Sequence, residues 1–174
     1  MKVLVVYATA EGSTAGIADW IAGALLARGH DVVVRSVDEV HDASAYDAFV
    51  IGSAVHDQAW LPVGREFLTR QRRALRGKPV WLFSVGLPGA LRDPLSRWAA
   101  WGEADVLAAL LDDVDPVEHR LFTGAVTAEA LGRFGALVFR LLGGRFGDFR
   151  DWAEIERWSA SISDVLAGIE AARC

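Results

Sequence analysis

Val3-Leu4-Val5-Val6-Tyr7, followed after Ala8 by Thr9-Ala10-Glu11-Gly12-Ser13-Thr14, decides the fold. The first five residues are continuously apolar and mostly β-branched, the pattern of a strand covered on both faces. The next six place three hydroxyls around a single glycine. Beyond them Ile17, Ile21 and Leu25 recur every four residues beside Ala18, Ala22 and Leu26, and Gly29 closes the run. That spacing predicts an amphipathic helix, with Ser13 or Thr14 as its N-cap and Gly29 at its C-terminal stop.

The same unit repeats outward from this start. Strands are expected at 32–37, at 48–52 after Tyr46-Asp47, at 79–85 and at 120–126. Helices are expected at about 62–76, 103–112 and 151–171. Alternation of buried strands with helices argues for an α/β domain, a doubly wound five-stranded parallel sheet with right-handed crossovers and helices on both faces. At 174 residues the chain suits one such domain. The stretch 128–150 does not fit this plan. It carries an extra apolar run from Phe134 to Leu142 before Gly143-Gly144 and reads as an insertion.

Composition excludes several classes of function. A net charge of −5 provides no basic face to displace counterions from nucleic-acid phosphates. The only cysteine is Cys174, so no intrachain disulfide, redox pair or cysteine metal site can form, and a reducing cytoplasm is expected. The N-terminus lacks the layout of a cleaved secretory signal. Apolar stretches are broken well before the roughly 18 residues that a spanning helix needs.

In open α/β sheets ligands sit beyond the carboxyl ends of the strands, so the loops after strands 1, 3 and 4 are the places to look. The first, Thr9 to Thr14, ends on a helix N-terminus, where backbone N–H groups, hydroxyls and the helix dipole favour a phosphate. The alternative is a plain turn at Gly12 with a capping Ser13 or Thr14. No G-x-G-x-x-G and no G-x-x-x-x-G-K-[ST] follows strand 1, which leaves a mononucleotide rather than a dinucleotide or nucleoside triphosphate. The second loop, Ser53-Ala54-Val55-His56-Asp57-Gln58-Ala59-Trp60, follows Gly52 and offers close backbone approach. Trp60 or His56 would cover the face of a flat ring, or Trp60 would simply pack ahead of the helix opened by Pro62. The third, Ser84-Val85-Gly86-Leu87-Pro88-Gly89, would grip the polar edge of a ring, or is a Gly-Pro turn. Arg92, Arg97, Trp98 and Trp101 are weaker candidates for the pocket edge. No metal site is expected.

The loop Thr9-Ala10-Glu11-Gly12-Ser13-Thr14 resembles, with one substitution, the Thr-x-Thr-Gly-x-Thr phosphate loop of the flavodoxin superfamily. Nearly the whole chain is similar to the flavodoxin-type quinone-dependent protoporphyrinogen dehydrogenase group and its uncharacterised relatives. The similarity rests on Tyr46-Asp47, Val50-Ile51-Gly52-Ser53, Glu66-Phe67, Phe83-Ser84-Val85, Thr123-Gly124-Ala125, Gly143-Gly144 and Asp148-Phe149-Arg150-Asp151-Trp152. The resemblance implies a flavodoxin-like sheet of order 2-1-3-4-5 and FMN as cofactor. Its phosphate would lie on Thr9, Ala10, Glu11, Gly12, Ser13 and Thr14. Its ring would lie near Ser53, Ala54, Val55, His56 and Trp60 and against Ser84, Val85 and Gly86. The chain departs from the group at His56 to Trp60 and at Gly86.

The resemblance implies an FMN-dependent oxidoreductase with a small-molecule electron donor and a quinone-like acceptor. On that reading the apolar 128–142 segment, with Arg133 and Arg140, is a candidate for peripheral contact with the inner face of a membrane, against packing over the sheet edge. An electron shuttle that docks on a redox protein is the alternative. Receiver-type signalling is disfavoured, because strands 1, 3 and 5 end in Tyr7-Ala8-Thr9, Gly52-Ser53 and Gly124-Ala125, without the acidic pair, Asp and Lys that acyl-phosphate chemistry requires.

Overall fold

The computed structural model of this protein describes residues 1–56, 59–86, 114–126 and 146–173. These residues form β1 (Lys2–Ala8), α1 (Ser13–Ala27), β2 (Asp31–Ser36), β3 (Ala48–His56), β4 (Ala59–Trp60) and α2 (Pro62–Leu75). They continue through β5 (Val80–Gly86), β6 (Glu118–Thr123), β7 (Ala125–Val126), β8 (Gly147–Asp148) and α3 (Trp152–Arg173). The main sheet runs β2-β1-β3-β5-β6 with every neighbouring pair parallel. With the short arm β4 set aside, this is the 2-1-3-4-5 order expected of the flavodoxin-like fold.

The apolar run that opens the chain is the middle of this sheet. Val3, Leu4, Val5 and Val6 have no exposed surface. Side chains alternate across a strand, so the run feeds both faces at once. Val3 and Val5 pack with Ile17, Ile21 and Leu25 of α1 and with Ile155, Trp158 and Ile162 of α3. Leu4 and Val6 pack with Phe67, Leu68 and Leu75 of α2. Leu26, placed with the helix's apolar face in the sequence reading, is exposed instead. In β3 the absence of a side chain at Gly52 makes room for Phe83: a Cβ there would lie 2.0 Å from the ring. Phe83 in turn contacts Phe122 and Trp158 in a buried aromatic cluster.

Three local expectations are corrected. Strand 3 does not end at Gly52 but runs through His56, because Val55 and His56 pair antiparallel with Trp60 and Ala59. Ser53, Ala54, Val55 and His56 are therefore strand rather than loop. The strand expected at 120–126 starts at Glu118 and stops at Thr123. After it the Gly124 amide donates to the Gly86 carbonyl at 2.9 Å, and β7 turns away to pair antiparallel with β8. Helix α1 has neither Ser13 nor Thr14 as its cap: Gly12 occupies the N-cap position, with φ of 84° and no side-chain capping bond. The helix expected at 103–112, residues Asp57, Gln58 and Leu87 to Gly89, the Arg92 to Trp101 candidates and the 128–142 segment lie outside the described residues. No helix among the described residues is long and apolar enough to cross a membrane.

Candidate functional site

Parallel register sets the carboxyl ends of the central strands side by side. Ala8 of β1 is level with Ser53 of β3, Ser53 with Ser84 of β5, and Ser84 with Leu121 of β6. The segments that follow these ends therefore emerge along one edge of the sheet, where α/β folds bind ligands.

Among the described residues, the Thr9 to Thr14 segment is the most open of them. Ala10, Glu11 and Gly12 are exposed, Thr9 and Ser13 half-buried and Thr14 fully buried. Thr9 Oγ1 accepts the Gly12 amide at 2.9 Å and closes the loop upon itself. The left-handed conformation at Gly12 is one that a residue with a Cβ adopts only with strain. Gly16 is the first residue of α1 whose amide reaches back into the chain, to the Gly12 carbonyl at 3.2 Å. The amides of Ser13, Thr14 and Ala15 are thus the free donors of a helix start, at the positive end of the helix dipole. Among the buried polar side-chain atoms of the described residues, Thr14 Oγ1 alone has no hydrogen-bond partner. A buried hydroxyl without a partner costs free energy that an acceptor from outside would recover. Oriented amides, a dipole and an orphaned hydroxyl form an anion cradle that fits a phosphate monoester. The Glu11 carboxylate has the wrong sign for such a ligand, so only its backbone can contribute.

The β3 and β5 ends have committed their side chains inward. Ser53 Oγ donates to the Ala54 carbonyl at 2.9 Å and accepts the Leu61 amide at 3.2 Å, which ties the β3–β4 hairpin to the start of α2. Trp60 is buried in the α2-side core, and its indole N–H donates to Ser84 Oγ at 2.7 Å. Of the two readings of Trp60, packing is what the structure displays. Ser84 is in contact at 2.8 Å with Nε2 of His119 on β6. Because Trp60 supplies a donor to Ser84, the serine proton is free for His119, whose neutral ring accepts it. Burial pushes His119 down to about 4, which keeps it neutral. Ala54 and Val55 are half-buried and His56 is exposed at the hairpin end; Val85 is buried and Gly86 half-buried, its carbonyl engaged by Gly124. Among the described residues, what remains for a ring on this edge is backbone, small side chains and the exposed His56.

Two neighbours of the cradle escaped the sequence reading. A Cβ on Gly124 would lie 3.1 Å from Ser13 Oγ, so the turn from β6 into β7 abuts the first residue of α1. Arg150, read only as part of the approach to the last helix, reaches α1 as well: its Nη1 lies 2.6 Å from where a Gly16 Cβ would be. Asp148 holds it with bonds from Nε at 2.8 Å and Nη2 at 2.6 Å, and the Trp152 ring lies 4.5 Å from its guanidinium carbon. Gly124 fell within the strand expected at 120–126, and nothing local in the sequence pairs Arg150 with Gly16. No group of His, Cys, Asp or Glu among the described residues is arranged to hold a metal ion.

A family model described as a flavodoxin domain matches residues 4–143. The chain belongs to the flavodoxin-domain family. Membership implies FMN as the cofactor and an FMN-binding electron-transfer flavoprotein as the general class. None of the curated proteins compared matches the chain. Among solved structures, a flavodoxin from the domain Archaea is similar, with 19% identity, a TM-score of 0.62 and coverage of 96% of this chain and 99% of that one. Oxidised flavodoxin 1 from Bacillus cereus is similar with 16% identity, a TM-score of 0.59 and coverage of 92% and 95%. Rubredoxin oxygen:oxidoreductase from Desulfovibrio gigas is similar with 15% identity and a TM-score of 0.59. There 96% of this chain spans only 36% of the larger protein. These identities establish the fold that the chains share.

Proposed function

We propose that this flavodoxin-domain protein is an FMN-dependent oxidoreductase that passes electrons from a small reduced substrate to a quinone-like acceptor. The observation that carries the flavin part is the anion cradle with its orphaned Thr14 hydroxyl. In it Ser13, Thr14 and the amides of the first turn of α1 hold the phosphate, while Thr9 keeps the loop closed from within. Bound FMN supplies the redox chemistry; the chain supplies its anchor, the backbone around its ring and access for two partners in turn. No general acid or base is assigned. His119, neutral and engaged with Ser84, is a structural group of the β5 and β6 ends.

The enzyme reading is supported by the motifs shared with the quinone-dependent protoporphyrinogen dehydrogenase group and by the charge of α2. Arg65, Arg70, Arg72 and Arg73 lie exposed on that helix, which is not the concentrated acidic field that steers a shuttle onto a basic partner. The shuttle reading has one observation in its favour: the chain and the archaeal flavodoxin span each other almost completely.

The first test is the visible spectrum of the purified protein, with mass identification of any flavin released on denaturation. FMN that is lost when Thr9, Ser13 and Thr14 are all changed to Ala is the expected result. No flavin, and no binding of added FMN, would sink the reading. Steady-state turnover with a quinone then separates enzyme from shuttle, since a shuttle turns over only with a partner reductase present.

A further inference from the structure

We propose that Arg150 is a ligand of the FMN phosphate and supplies the cation that the Thr9 to Thr14 loop lacks. The proposal rests on the reading of that loop as the phosphate cradle. The loop itself carries a negative side chain, Glu11, and no basic one. A phosphate monoester near neutral pH carries between one and two negative charges, and amides plus hydroxyls leave most of that charge uncompensated.

Arg150 is brought to the cradle by the β7–β8 ribbon. Immediately after β6 the chain passes Gly124, which abuts Ser13, and the Gly124 carbonyl accepts the Phe149 amide at 3.4 Å. The next residue is Arg150. Its contact is with Gly16, the residue one turn into α1 whose amide bonds to Gly12. A Cα–Cβ bond in a helix tilts toward the N-terminus, so the Gly16 Cβ position that the guanidinium touches is itself displaced toward the Gly12 end of α1. Gly16 stands one helical turn, about 5.4 Å, from Gly12, so the guanidinium is held within about a turn of the cradle.

The guanidinium is also prepared for a further ligand. Nε and Nη2 are spent on Asp148, in the fork geometry that fixes its plane. Trp152 covers its face, and Trp152 is itself backed by Trp20 at a ring separation of 4.8 Å. Among the described residues Nη1 has no hydrogen-bond partner, and it is the end that lies against α1 at Gly16. An arginine oriented by a carboxylate and an aromatic ring, with spare donors beside the first turns of α1, is suited to contact with a phosphate oxygen held at that helix start.

The test is flavin titration of the flavin-free protein, followed by fluorescence quenching, with FMN and riboflavin side by side. Arg150→Ala should weaken FMN about tenfold to a hundredfold, the range of one charge-assisted hydrogen bond, and leave riboflavin unchanged. Arg150→Lys, which keeps the charge but not the fork, should fall between. Gly16→Ala covers the case in which Arg150→Ala does not fold. Its methyl would occupy the place now touched by Nη1 and push the guanidinium aside, while alanine strengthens α1. It too should weaken FMN and spare riboflavin, and both variants should show a shallower rise of Kd with ionic strength. Unchanged FMN affinity in Arg150→Ala or Gly16→Ala, or equal losses for both flavins, would overturn the proposal. A wild-type protein that binds neither flavin would remove the cradle reading itself and this proposal with it.

Discussion

Replacing Thr14 with Val should move stability and flavin affinity in opposite directions. Valine keeps the branched shape of threonine and replaces the hydroxyl with a methyl, so the packing of this fully buried side chain survives. What disappears is Oγ1, which has no partner. A buried hydroxyl left unsatisfied costs about 1–3 kcal/mol, and the apolar isostere removes that cost. The flavin-free Thr14→Val protein should therefore be more stable than wild type by about 1–2 kcal/mol. For a chain of this length each kcal/mol is worth about 2–4 °C, so the melting temperature should rise by about 2–8 °C. With FMN present the hydroxyl donates to a charged oxygen, a bond worth about 1.5–3 kcal/mol, and its loss should weaken FMN about tenfold to a hundredfold. Thermal unfolding of the flavin-free protein by circular dichroism, beside the FMN titration, reads both arms. A variant that melts lower would show that the hydroxyl already has a partner within the folded protein. A variant that binds FMN as tightly as wild type would show that Thr14 is not a ligand, and the geometric case for the cradle would fail.

Other sites give independent checks. Gly52→Ala should destabilise the protein by about 1–3 kcal/mol or more in urea denaturation, because its methyl would fall 2.0 Å from the Phe83 ring in a sheet with no room to give; a neutral outcome would contradict the packing of β3 against β5. His119 takes up its proton near 6.5 in the unfolded chain but only near 4 in the folded one. Stability is therefore full above about pH 6.5 and falls as pH drops from there toward 4, because the unfolded state binds the extra proton. His119→Gln should flatten that part of the stability profile, and a variant whose profile keeps the wild-type slope would place the titration elsewhere. Trp60→Phe should lower stability by about 1 kcal/mol through loss of the indole bond to Ser84, with FMN affinity retained; a selective loss of FMN would instead put Trp60 at the ring.

The parts of this fold that were legible in the sequence are those whose signal is local. Val3 to Val6 read as a doubly covered strand because four consecutive apolar residues satisfy both faces of a sheet, and Ile17, Ile21 and Leu25 read as a helix because the period is near 3.6. The anion cradle was legible for the same reason, since six consecutive residues supply its loop. The fate of Ser53 to Trp60 was not, because it is decided by a bond to Ser84, 24 residues further on, and by antiparallel pairing across Asp57-Gln58, a dipeptide with no hairpin signature. Thr14 was misjudged as a possible cap because any hydroxyl at a helix start invites that reading. Gly12, with its positive φ, is the N-cap instead, and Thr14 lies within the helix, buried, with its hydroxyl unpartnered. Arg150 is the same problem at longer range: 134 residues separate it from Gly16, and only the β7–β8 pairing brings the two together. The electrostatics of a phosphate site are therefore misjudged when counted within its loop. On the proposal that Arg150 binds the phosphate, the loop fixes where an anion can sit, while the charge that meets it comes from the segment that follows β8.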